Sequence, residues 1–372
     1  MAVEAPNIFI TLLAFVTLIG TLVVVHELGH YSVGRWFGVK AEKFSIGFGP
    51  QLFGWTDKRG TLWRLGALPL GGYVQFAGDM NPSSQPDENW HNLSAVERNQ
   101  TFQSKTLWQR ALIVFAGPAV NFILAIAILS GFLLTYGQSV NPPVVVSVQA
   151  GTAAADIGLR PGDRIVSING KELDSFQQLA TEVSVYPNED VTLRIERGRS
   201  IIDQTARIGE LVQKDRFGNE YRRGLLGLPV PPPVVRDVGL LQAPVLATKE
   251  TYNIVRLTVV TIGQMIVGKR SVKDLGGPLK IAKVSGEHFV LGLSAFLWLA
   301  AMISINLGFI NLLPIPMLDG GHLLLYAIEA IRRRPATPIV QEWAFKAGFA
   351  MLVGFMLMVT FNDLASFGVF GK

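Results

Sequence analysis

Apolar residues in this chain gather into long windows without formal charge. Residues 5–26 form the first, containing the apolar run from Ile8 to Val25, and residues 111–155 form the second, whose apolar part is Ala111 to Tyr136. A third window covers 288–318, with apolar character continuing to Ile331, and a fourth covers 347–362, extendable back to Trp343 across Lys346. A helix needs about 20 apolar residues to cross a bilayer, so the pattern predicts four transmembrane helices. The stretch from Val245 to Gly268 differs: Lys249, Glu250 and Arg256 interrupt it, while Ile254, Leu257, Thr261 and Met265 share helical spacing. That arrangement predicts an amphipathic helix on the membrane surface.

Between the second and third windows the composition is that of a soluble module. Val144–Val148 reads as a strand and Thr152–Ile157 as a short helix of small residues. Leu159–Gly170 reads as a turn, a strand and an Asn-Gly turn. Asp174 is placed to cap a helix reaching about Val185, and Val191–Glu196 alternates as a further strand. Before the second window, Thr61–Gln75 reads as strands punctuated by Pro69, Gly71 and Gly72. An edge strand through Gly71, Gly72 and Tyr73 is expected to bind an extended chain by strand addition.

Charge sharpens this picture. The 372 residues carry 33 Lys and Arg against 28 Asp and Glu, 16% charged in all, with 38 glycines. Average soluble proteins carry roughly 25%. A disordered chain, a collagen and a nucleic-acid-binding tail are excluded, and no nucleic acid or soluble cofactor is expected. Cysteine is absent, which removes disulfides, thiolate metal sites and a Cys nucleophile. Lys and Arg cluster in 31–110 (Arg35, Lys40, Lys43, Lys58, Arg59 and others) and in Arg332–Arg334, while Met1–Asn7 has none. The positive-inside rule makes both clusters cytoplasmic and the N-terminus external. Four spans satisfy this; five would move Arg332–Arg334 to the wrong side. The first span lacks a basic leader region and is read as retained.

The first span ends in His26-Glu27-Leu28-Gly29-His30, an H-E-x-x-H motif. On a helix the two imidazoles lie one turn apart and face one metal ion, with Glu27 beside it. The pair also sits where ionisable groups are costly and normally mark function rather than a snorkelling end. Zinc suits such a set, and Glu27 is then the general base that accepts a proton from water. A third ligand is required. The candidates are His91, His288, His322 and a carboxylate within a span. Asp319 is favoured over His322, one turn later, because it follows a long uncharged run broken by Pro314 and Pro316. Irregular backbone at that depth is tolerated where it lines a cavity.

H-E-L-G-H in the first span with a distal L-D-G in a Pro-broken span resembles the site-2 protease family of intramembrane zinc metalloproteases, peptidase family M50. Phe44–Pro50, Pro69–Val74, Phe115–Asn121, Gly276–Ala282, Asn306–Asn311 and Phe361–Asp363 match its bacterial RseP-type branch in order, from residue 8 to about 364. The resemblance implies His26, His30 and Asp319 as zinc ligands and Glu27 as catalytic base. Asn311 and Asn306 match asparagines that hold the substrate, and residues 61–75 match a membrane-associated β-loop. It implies regulated intramembrane proteolysis of a single-span protein, an anti-sigma factor already shortened outside or a leftover signal peptide. The module at 140–235 resembles a PDZ domain, one copy rather than two in tandem, with Gly224–Pro229 a candidate carboxylate-binding loop.

The expected fold is thus a polytopic α-helical membrane protein of four transmembrane helices with a membrane-associated β-hairpin region and an inserted extracytoplasmic PDZ domain of α+β class. The expected order is 1–31 first span, 32–110 cytoplasmic β-region, 111–137 second span, 140–235 PDZ module, 236–287 surface helix and loop. A third, Pro-broken segment (288–331), a cytoplasmic loop (332–342) and the fourth span (343–366) follow. The resemblance puts the protein in a bacterial inner membrane among lipid, with the PDZ module and both termini periplasmic and the site near the cytoplasmic face. Two other classes compete. A catalytically silent PDZ scaffold has no use for Glu27, and a transporter is expected to carry internal repeats, which this chain lacks.

Overall fold

The computed structural model describes residues 6–78, 94–214, 220–267, 276–335 and 337–367. His91 lies outside them. Two compact units emerge: residues 1–131 with 244–372, and residues 132–243.

Among the described residues, four helices are long and apolar enough to cross a membrane, at Ile8–Trp36, Leu107–Tyr136, Leu293–Asn311 and Ile339–Ser366. The first, α1 (Ile8–Trp36), starts where the Asn7 side chain accepts a hydrogen bond from the Ile10 amide at 2.9 Å. It runs on past His30 because nothing in Tyr31–Trp36 breaks a helix. Next come two long strands, β1 (Ala41–Thr56) and β2 (Leu62–Phe76). The stretch 61–75, expected as strands punctuated by Pro69, Gly71 and Gly72, falls in β2 from Leu62 onward. Phe44 pairs with both Trp63 and Val74, and Ser45 with both Arg64 and Tyr73, while Trp55 also faces Trp63. The hairpin therefore folds back on itself across Gly47–Gln51 and Gly66–Leu68. The order of its rungs is 51–56, 62–66, 43–46, 72–76, with 72–76 at the outer edge. Glycines that would break a flat strand here permit the fold-back.

After the short α2 (Ala95–Asn99), helix α3 (Leu107–Tyr136) contains Pro118 and packs on α1 backbone to backbone. A methyl on Gly29 would sit 2.5 Å from the Ala116 carbonyl oxygen. Close approach through small residues is how helices associate without a hydrophobic driving force.

The second unit holds β3 (Gln138–Val140), α4 (Ala153–Asp156), β4 (Arg164–Ile168), β5 (Lys171–Glu172), α5 (Phe176–Ser184), β6 (Asp190–Arg197), β7 (Ser200–Arg207), β8 (Gly209–Lys214), β9 (Glu220–Leu225) and β10 (Val234–Arg236). Four of them form an antiparallel sheet in the order β5-β4-β6-β7, and β3 with β10 and β8 with β9 form two-stranded pairs. Alternation in β6 sends Val191, Leu193 and Ile195 into a core shared with Ile165 and Leu179. Asn169 and Gly170 both have positive φ and make the tight β4–β5 turn. Two expectations need correction. Val144–Val148 is no strand: Val144 makes a single bridge to Arg164, and the Val145 amide and carbonyl bond to the 162–163 turn instead. The cap of α5 is Ser175, whose hydroxyl accepts from the Gln178 amide, rather than Asp174.

The remaining helices return to the first unit. Helix α6 (Gln242–Ile266) is continuous and is not among the four membrane candidates. Helix α7 (Pro278–Val290) packs against α1, α8 (Leu293–Asn311) and α10 (Pro338–Ser366). Its first amides are capped from α10: the buried Asp363 carboxylate accepts from Gly277, Leu279 and Lys280 at 2.9–3.1 Å. A carboxylate at a helix N-terminus satisfies orphan donors and the helix dipole together. The expected Pro-broken segment 288–331 comprises the end of α7, then α8, a proline-containing break at 312–318, and α9 (Asp319–Arg332).

Candidate metal centre

Helical spacing puts His26 and His30 on the face of α1 that meets α3, and the break after α8 puts Asp319 in the first turn of α9 opposite them. One ligand atom from each of the three lies within 4.8 Å of the others. The two Nε2 atoms are 3.2 Å apart, with Asp319 Oδ2 3.2 Å from His26 Nε2 and Oδ1 3.6 Å from His30 Nε2.

The outer nitrogens decide what the inner ones present. His30 Nδ1 lies 2.9 Å from the Ile113 carbonyl oxygen, which can only accept, so Nδ1 carries the proton and Nε2 offers a lone pair. His26 Nδ1 lies 3.1 Å from the carboxamide of the fully buried Asn121, whose Oδ1 has no hydrogen-bond partner. With the carboxamide turned by half a rotation, Oδ1 accepts from Nδ1–H and His26 Nε2 also presents a lone pair. Two lone pairs and a carboxylate then face one another inside the protein. Asp319 Oδ2 is buried without a hydrogen-bond partner. Such a set repels itself and is stabilised by a divalent cation; two imidazoles and one carboxylate are a donor set suited to zinc with a position left open.

Close packing holds the imidazoles against α3. A methyl at Gly117 would overlap the His30 ring and come within 2.9 Å of His26 Cε1. Gly117 and Asn121 were not among the expected site residues. Both lie in Phe115–Asn121, which matches the family without assigning them a role; the local signal is an amide in an apolar run, which by itself also suits helix–helix adhesion.

A cavity of about 660 Å³ opens on this cluster, lined by Glu27, Gly71, Gly72, Tyr73, Asn311, Asp319 and His322 among others. The outer hairpin rung 72–76 thus forms one wall. Gly72 sits so close to α1 that an added methyl would lie 3.2 Å from Glu27 Cγ and 2.8 Å from the Ser45 carbonyl oxygen. Asn306 does not line the cavity. His322 lines it but stands outside the ligand cluster, its ring against Phe345 at 5.0 Å. His288 bonds the Val284 carbonyl and stacks on Trp298, remote from the cavity.

The peptidase family M50 model matches residues 14–355. A candidate zinc metalloprotease of Agrobacterium fabrum is 41% identical over 357 residues, 95% of each chain. Another, of Rhizobium meliloti, is 41% identical over 369 residues, covering 98% of this chain and 99% of that one. Metalloprotease MmpA of Caulobacter vibrioides is 37% identical over 388 residues, 97% of each. Among solved structures, the PDZ domain of an SdrC-like protein from Listeria monocytogenes matches 24% of this chain and 87% of that chain at 21% identity, with a TM-score of 0.20. That last likeness is too slight to argue from. With its four apolar helices, the chain is an integral membrane protein; it belongs to peptidase family M50 and is a metalloprotease.

Proposed function

We propose that the chain is an intramembrane zinc metalloendopeptidase cleaving the membrane segment of single-span proteins, of the anti-sigma-factor or remnant-signal-peptide kind. The observation that carries this reading is the convergence of His26, His30 and Asp319, with Glu27 beside them, on one cavity among membrane-crossing helices. His26, His30 and Asp319 hold the metal. When bound, zinc polarises the scissile carbonyl and eases deprotonation of water. Glu27 accepts the proton from the attacking water and passes it to the departing amide nitrogen. Asn121 and the Ile113 carbonyl keep both imidazoles in the tautomer that points a lone pair inward.

The substrate's backbone must leave its helix before it can be cut. An extended peptide added to the edge rung at Gly71, Gly72 and Tyr73 exchanges its internal hydrogen bonds for sheet bonds. The Asn311 amide is within reach of the same space. The module at 140–235 acts as a PDZ domain facing the periplasm, a reading supported by its strand–helix–strand order. Exposed Leu257 and Val260, sharing α6 with Lys249 and Arg256, support a helix lying on the outer membrane surface. Both termini are then periplasmic in a bacterial inner membrane, and the metal centre lies towards the cytoplasm.

Purified protein in detergent, assayed for zinc per chain and for cleavage of a single-span substrate, tests the reading. Glu27→Gln is expected to retain zinc and lose cleavage by at least about a thousandfold. Equal cleavage by wild type and variant, or an intact preparation that does not bind zinc, overturns it.

A further inference from the structure

Away from the metal centre, where α1 ends, three stretches of chain converge. The exit from α1 contributes Arg35, Gly38 and Lys40; the turn between β1 and β2 contributes Arg59; the stretch after α2 contributes Gln100. Together they line a second cavity of about 420 Å³. The Lys40 amide donates to the Gln100 carbonyl at 2.9 Å, which fastens two of these stretches together. Lys105 adds a fourth cation: its Nζ donates to the Asn99 carbonyl at 2.6 Å and lies 4.0 Å from where a methyl at Gly38 would stand.

No described carboxylate pairs directly with this cluster; Asp57 and Glu97 act on Arg35 and Lys40 only through space. Among the described residues, none of Arg35, Lys40, Arg59 and Lys105 has a carboxylate oxygen within ion-pair distance. The nearby Asp57 commits Oδ1 to the Arg59 and Thr61 amides and Oδ2 to Trp63 Nε1. Glu97 is held in the Ser94 capping box. Four like charges round one cavity repel, and a bound anion relieves that repulsion.

The surroundings identify the kind of anion. Trp36 is 80% and Trp108 58% exposed, and Phe37 packs on both rings at 5.3 Å. Exposed Trp at the ends of two membrane-crossing helices marks the headgroup level. Further along α3, Leu112 and Phe115 are each 43% exposed. A soluble anion has no use for such flanks, whereas a phospholipid uses both. We propose that this cavity binds the phosphate headgroup of an anionic phospholipid, with acyl chains along the Trp36, Trp108, Leu112 and Phe115 surface. The lipid ties Arg59 of the hairpin turn to Arg35 of α1, bracing the base of the sheet whose far edge walls the catalytic cavity.

The test uses the full chain in detergent and native mass spectrometry. The probes are a phosphatidylglycerol, a phosphatidylcholine of the same acyl composition, and inorganic phosphate. Wild type is expected to retain one phosphatidylglycerol at a preference of about tenfold or more over phosphatidylcholine, undisturbed by millimolar phosphate. Lys40→Gln is expected to weaken phosphatidylglycerol binding about fivefold and Arg35→Gln with Arg59→Gln about 30-fold, one surface cation being worth about a factor of five. Lys58→Gln, in the same turn but outside the cavity lining, is expected to change it less than about twofold. Three results overturn the proposal: no preference for the anionic lipid, equal loss in Lys58→Gln and Lys40→Gln, which means a diffuse surface field, or displacement by phosphate, which means a soluble-anion site. Lys40 is exposed, so its single variant keeps the question open to refutation if the double variant does not fold.

Discussion

The carboxamide of Asn121 has two ways to meet His26 Nδ1, and the choice decides whether Nε2 on the far side of the ring bears a proton or a lone pair. Only the second suits a metal ligand. Asn121→Ala is therefore expected to lower zinc affinity about 10- to 100-fold, the usual cost of losing a hydrogen-bond partner of a ligating histidine. Titration of the purified variant against a competing chelator measures it. A purely structural role for Asn121 predicts a lower melting temperature with unchanged zinc affinity. Residues differ here in how plainly the chain announces them. His26, Glu27 and His30 can be read from i, i+4 spacing, because one helix turn alone brings the imidazoles together. Asp319 can be read from the cost of a carboxylate after a long uncharged run. Asn121 and Gly117 stand in a stretch that matches the family, yet their part is not legible there, because it depends on how closely α3 lies against α1, and no local pattern encodes a helix–helix distance.

At the level of elements, the doubled-back hairpin does most to shape the cavity. Its outer rung reaches α1 only because Gly72 lacks a side chain beside Ser45 and Glu27. Gly72→Ala is expected to displace that rung and lower kcat/KM for a single-span substrate about tenfold, since misplacing a bound peptide by an ångström costs at least that much. Zinc content should stay unchanged. Steady-state cleavage alongside metal analysis separates this outcome from collapse of the metal centre. The glycines and prolines of 41–76 do look like breakers when read alone. What that reading misses is that Phe44 and Ser45 pair on both sides, so the breaks fall at corners of one continuous ribbon. The same lesson applies to Val144–Val148, whose β-branched run predicts a strand by propensity. The turn at 162–163 competes successfully for its backbone groups. Helix boundaries fare better in the apolar windows, where length and composition suffice.

On the scale of the molecule, the second unit rests on a buried ion pair that pH should test. In the second unit Asp163 is 2% exposed and accepts from Arg197 Nε at 2.7 Å, Arg197 Nη2 at 2.6 Å and the Arg160 amide at 2.8 Å. The Arg197 hydrogen bonds, more than its charge, hold the Asp163 carboxyl below its ordinary pKa. A carboxylate with a depressed folded-state pKa stabilises fully above its unfolded pKa of about 4 and loses that contribution as pH falls through the folded value. Protection factors of the β6 amides in the full chain, corrected for intrinsic exchange, should therefore fall on acidification below about pH 4. Asp163→Asn should flatten that acid dependence and cost about 2 kcal/mol at neutral pH, because it removes a charge-assisted pair from a buried site. Identical acid profiles for variant and wild type would rule this out. The four membrane helices and the inserted unit follow from hydropathy alone, whereas β7 does not, being exposed at most positions, nor does β10, whose partner β3 lies far away in sequence. Finally, the wide separation of Asp319 from His26 along the chain has a consequence for synthesis. A ribosome that has delivered α1 and α3 has already produced both histidines with Ile113 and Asn121 behind them, yet no carboxylate to complete the set. On the proposed reading the peptidase stays inert through most of its own translation and becomes competent only when α9 docks, so an unfinished chain is no danger to the membrane proteins inserting beside it.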